Sequence, residues 1–205
     1  MSARTPADAR RWSDLGTRLF LDAVRTTDID GPSALPDWSR RQLVAHVAAN
    51  ADALGNLVHW AATGEERPMY ASPEDRAAGI ERGAALPADG LAVWLQASAE
   101  RLAAATAALT DEQWSHPVTT AQGRQVPATE IPWLRAREVC VHAVDLDAGV
   151  GFADLPDDFL AALAADVRAQ RGDVPDVDGP LAEQVAWLTG RPHALADAPE
   201  IGAWL

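Results

Sequence analysis

Apolar side chains recur at helical spacing over most of the chain, with polar residues between them. Trp12, Leu15, Leu19 and Ala23 share one face, while Arg11, Asp14, Arg18, Asp22 and Arg25 lie elsewhere, which predicts a helix from about 6 to 27. A loop through Gly31-Pro32 and Leu35-Pro36 follows. Ser39-Arg40-Arg41-Gln42 has the form of a capping box, so a second helix starts at Ser39, runs to about Ala62 and stops at Gly64. At ~100° per residue Asn50, Ala53 and Leu57 fall within ~40° of His46, and Arg41, Asp52 and His59 fall opposite. His46 therefore points inward and His59 outward, and the small residues Ala49 and Ala53 leave room beside the inward ring.

Residues 64 to 90 hold Gly, Pro and charges, and read as a long loop with a single helical turn. A third helix spans about 88 to 109, with Leu91, Trp94, Leu95, Ser98 and Leu102 inward. Short β-prone pieces flank Gln122-Gly123, so 114 to 130 reads as a small hairpin or extended loop. The fourth helix, 132 to 146, opens with Pro132, tolerated at a first helical position, and Glu130 is placed to cap it. Leu134, Val139, Cys140, Val141, Val144 and Leu146 make it apolar nearly all round, the mark of a buried helix. After Gly149 and Gly151 the character changes: a helix over 156 to 170, a Gly/Asp/Pro linker to 180, and a short helix over 181 to 188. The pattern divides the chain into a mainly α four-helix bundle, residues 1–150, and a small C-terminal region, 151–205.

Composition narrows the function classes. The chain has 205 residues, 48% of them hydrophobic, enough for one good core and a small appendage. Its formal net charge of -13 disfavours a nucleic-acid or anionic-membrane surface. No run approaches ~18 uninterrupted apolar residues, and the first dozen residues lack the apolar stretch of a signal peptide, so a cytoplasmic protein is expected. Cys140 is the single cysteine, which excludes an intramolecular disulfide or a multi-cysteine metal site.

The chemistry is concentrated in the fourth helix. Glu138 and His142 lie one turn apart on one face, with Asp145 a turn further. A carboxylate buried beside an imidazole is costly unless something pairs with them. A divalent metal would do so, with His46 reaching across from the second helix. Two nitrogens and a carboxylate suit Zn²⁺ and leave a fourth position open, as in catalytic sites; iron or nickel can take the same set. Asp145 either orients the His142 ring or serves helix packing or solvent. Without a metal, the same residues read as a core salt bridge between Glu138 and His142, with Arg135 or Arg137 nearby. His116 reads as a solvated loop residue, and Trp38, Trp60, Trp94 and Trp133 as core. Cys140, ~160° from the bisector of Glu138 and His142, reads as a buried structural thiol.

Residues 133 to 146, together with Thr120-Ala121-Gln122-Gly123-Arg124, Val126-Pro127-Ala128-Thr129-Glu130-Ile131-Pro132 and His46 in Leu-Val-Ala-His-Val, resemble the mycothiol-dependent maleylpyruvate isomerase family. That resemblance implies a DinB-like up-down four-helix bundle with a small C-terminal α/β appendage, shorter than the domain usual in full-length members. It implies zinc on His46, Glu138 and His142, and mycothiol as a thiol cosubstrate bound to the metal. The family also places a functional arginine near the C-terminus; 187 to 191 resembles that segment, which makes Arg191 the candidate catalytic residue. Arg124 is the alternative cation and the candidate contact for the thiol. A helix C-terminal charge is the plainer role for Arg191. The implied activity is cis-trans isomerisation by thiolate addition, rotation and elimination. The competing readings are a mycothiol S-transferase and a non-catalytic metal-binding bundle. The expected partners are small molecules, on a monomer or homodimer.

Overall fold

Thr5 accepts a hydrogen bond from the Asp8 amide while the Asp8 side chain accepts from the Thr5 amide, and this capping box starts α1 (Pro6–Thr26). The computed structural model describes residues 4–202 and 204. Ser39 and Gln42 form a second capping box at the start of α2 (Arg40–Thr63), which Gly64 ends in a left-handed conformation, φ 77°. Between α2 and α4 (Ala88–Ala107) lies a helix, α3 (Pro73–Ala84), where the sequence pattern suggested a loop with one turn. Its helix signals are terminal: Ser72 caps it, Pro73 opens it, Glu74 and Asp75 sit in the first turn and Arg82 in the last. Only Ile80 and Gly83 of α3 are buried, so no apolar stripe announces it.

A single turn, α5 (Asp111–Trp114), leads into the antiparallel pair β1 (Pro117–Thr119) and β2 (Gln125–Pro127), with Val118 opposite Val126. Gly123, φ 76°, makes the turn between them. A 3-10 turn, Ala128–Glu130, then feeds α6 (Ile131–Asp145). Glu130 holds the N-cap position of α6, but its side chain makes no capping hydrogen bond there.

The four long helices pack as α1 on α6, α2 on α4, and α2 on α6. At one end Leu54, Leu57, Val58 and Ala61 of α2 close over Val118 and Val126 of the hairpin and Ile131 and Leu134 of α6. His116 belongs to that end: its Nδ1–H donates to the Ala61 carbonyl at 2.6 Å, which makes it a half-buried tie rather than a solvated residue. At the other end the loop before α2 is stitched to the end of α6. The Ala34 amide donates to the Asp145 carbonyl at 2.8 Å, and Arg40 donates to the carbonyls of Leu146 and Asp147.

The chain divides into two units, Thr5–Gly149 and a second that joins Arg4 to the residues from Val150 on. The regular elements of the second among its described residues are all helical: a 3-10 turn, Phe152–Asp154, then α7 (Asp157–Arg171) and α8 (Leu181–Leu188), which pack on each other. The β pair of the described residues therefore lies in the bundle unit, not in the C-terminal region. No helix among the described residues is long and apolar enough to cross a membrane.

Candidate metal centre

His46 enters the site from the first half of α2, and Glu138 and His142 enter from α6. Each offers one ligand atom, and the three atoms lie within 4.8 Å of one another. Glu138 Oε2 is 2.9 Å from His46 Nε2 and 3.4 Å from His142 Nε2, and the two rings meet edge to face with centroids 5.0 Å apart. Metal–ligand bonds of about 2.0–2.2 Å around a tetrahedral ion separate donors by about 3.3 Å, so this spacing fits a small divalent cation. The donor chemistry fits too, because both imidazoles are more than nine-tenths buried and the carboxylate largely so. Trp38 braces the cluster, its ring edge-to-face against His46 at 5.7 Å.

The two histidines differ in how their outer nitrogens are held. His142 Nδ1–H donates to Asp145 Oδ2 at 2.8 Å, which points Nε2 towards the cluster. Asp145 is itself buried, so the orienting role is the one the structure supports over a solvent role. His46 Nδ1 faces Arg76 Nη2 at 3.2 Å. A guanidinium only donates, so this Nδ1 accepts, and His46 Nε2–H donates to Glu138.

Electrostatics follow from these contacts. Burial works against the Glu138 carboxylate, but hydrogen bonds from His142 and His46 outweigh it and hold its pKa well below the usual carboxylate range. Burial pushes the His46 pKa down, and Glu138 only partly opposes it. At His142 burial also pushes down, but Asp145 and Glu138 win and the pKa rises. Arg135, buried beneath the site, donates to Val47 O at 2.8 Å and Asn50 Oδ1 at 2.9 Å, tying α6 to α2, and burial lowers its pKa to about 10.

The remaining candidates sit elsewhere. Arg124 is exposed in the hairpin turn, where its amide donates to Thr120 Oγ1 at 3.3 Å. Arg191, buried in the C-terminal unit just past α8, donates from its guanidinium to the Thr189 carbonyl at 2.6 Å. Cys140 Sγ faces the Trp12 carbonyl at 3.7 Å and burial pushes its thiol up to about 12, so it is a structural thiol. Sequence pattern did not point to Arg76 or Tyr70. Both depend on α3, whose N-cap signal at Ser72-Pro73 was the available clue.

Residues 5–147 match the family model described as the mycothiol maleylpyruvate isomerase N-terminal domain. The chain belongs to this family. Two solved structures are similar over 100% of both chains, each with a TM-score of 0.93 and 36% sequence identity. One is the crystal structure of the mycothiol-dependent maleylpyruvate isomerase, and the other is a variant of it with a histidine replaced by alanine. The likeness therefore runs through the C-terminal region, which is not short relative to those chains. A search of curated proteins finds no match.

Proposed function

We propose that this chain is a metal- and thiol-dependent cis-trans isomerase of the maleylpyruvate isomerase type, with zinc as the metal, mycothiol as the thiol and the cytoplasm as its place of work. The observation that carries the reading is the inward cluster of His46, Glu138 and His142 in a chain 36% identical, end to end, to a solved enzyme of that activity. A divalent cation on these three side chains supplies a Lewis acid that lowers the pKa of a thiol brought to its open position. The thiol supplies reversible addition: while its sulfur is attached the double bond is single and can rotate, and elimination returns the thiol and the trans isomer.

This chain's own residues prepare the site for that chemistry. Asp145 fixes His142 with Nε2 facing inward, and Glu138, held well below the usual carboxylate range by its two imidazole neighbours, is already ionised when a cation arrives. Burial raises the pKa of Tyr70, so its phenol stays a proton donor near Glu138 and Arg76. Addition places negative charge on the substrate's carbonyl oxygen, and preorganised donors aimed there contribute most. The part assigned to Arg191 by resemblance, and the thiol contact assigned to Arg124, are tested by replacing each arginine with lysine, which keeps charge but loses the two-pronged geometry.

The deciding experiment is a spectrophotometric assay of zinc-loaded protein on maleylpyruvate with and without mycothiol. Conversion to fumarylpyruvate that requires the thiol and returns it unchanged is the expected result. Stoichiometric loss of the thiol would replace this reading with an S-transferase.

A further inference from the structure

A cavity of about 410 Å³ lies between α2 and α3. Ala49 and Ala53, the small residues that follow His46 along α2, form one wall, and Tyr70 and Arg76 line the other. Arg76 belongs to two places at once: it lines this cavity, and its Nη2 reaches His46 Nδ1 at 3.2 Å. It forms no ion pair among the described residues; its neighbours are the His46 imidazole and Tyr70, whose ring lies at 5.9 Å and whose hydroxyl accepts a hydrogen bond from it. A half-buried guanidinium facing a cavity without a carboxylate partner is a natural anion site. Two carboxylates line the cavity, Asp52, already occupied by Trp94 Nε1–H and Arg101, and Asp75, next to Arg76 in the chain; neither forms an ion pair with Arg76.

We propose that the α2–α3 cavity binds a carboxylate of the substrate through Arg76, and that a cation on His46 releases Arg76 for this task. The inference rests on the metal-centre reading. A cation on Nε2 occupies the lone pair there, which leaves the ring proton on Nδ1. Two donors, Nδ1–H and the guanidinium, then face each other at a contact that needs one acceptor. The hydrogen bond to Arg76 and a cation on His46 exclude one another, so loading the metal turns the guanidinium towards the cavity. Metal and carboxylate therefore bind cooperatively, and by linkage each raises the other's affinity by the same factor.

The test is calorimetric titration of succinate, a dicarboxylate with no double bond to isomerise, into apo and zinc-loaded protein. Wild type should bind succinate about tenfold more tightly when zinc-loaded, within the usual range of such couplings. Arg76→Gln should bind it weakly in both forms, and Arg76→Lys should fall between. In competition with a chromophoric chelator, apo Arg76→Gln should also take up zinc more tightly than wild type, because nothing then occupies Nδ1. Succinate binding to zinc-loaded Arg76→Gln as tight as to wild type, or equal binding to apo and zinc-loaded wild type, would overturn the proposal. Failure of wild type to take up zinc would instead remove the metal-centre reading itself.

Discussion

His46 and His142 share one carboxylate, Glu138, but have different outer partners, Arg76 and Asp145. The Asp145 carboxylate behind His142 accepts Nδ1–H, orients the ring and raises its basicity. Asp145→Asn keeps an acceptor in place but removes the charge. Zinc affinity, measured by chelator competition, should fall by about 10- to 100-fold with all three ligands intact. Unchanged affinity would mean that helix packing alone orients His142. The inward direction of His46 was legible from the 3.6-residue period, because a buried face declares itself through its apolar neighbours. The Arg76 contact was not legible, since it joins residues 30 positions apart and depends on where α3 docks.

At the scale of elements, close approach decides what each helix tolerates. Gly16 of α1 faces α6 so tightly that a Cβ there would sit 2.5 Å from Cys140 Sγ and 2.6 Å from Val139 Cγ2. Gly→Ala inside a helix ordinarily stabilises by about 1 kcal/mol. Here the added methyl must force α1 and α6 apart, so Gly16→Ala should destabilise by about 1–3 kcal/mol in chemical denaturation. A gain in stability would contradict this crossing. The capping boxes at Thr5 and Ser39 and the Gly64 stop were readable because they use local chemistry. Helix α3 escaped because its apolar face is only Ile80 and Gly83, and its capping signal stands without a stripe to support it. Glu130 shows the reverse error: its position invites a cap that its side chain does not make.

For the whole molecule, the hydrophobic pattern specified the bundle because each long helix must bury a face against another. The C-terminal region was read correctly as two helices from 156 and 181, but the strands of an α/β appendage are absent from its described residues. The family resemblance suggested them, and local pattern did not. The proposed chemistry requires that His46, Glu138 and His142 hold a metal. The most direct test is zinc content and affinity after loading and gel filtration, for wild type, Glu138→Ala and His142→Ala. Wild type should retain one equivalent, and each variant should lose about tenfold or more in affinity, since even residues behind the ligands cost that much. Unchanged zinc binding in both variants would contradict the metal centre.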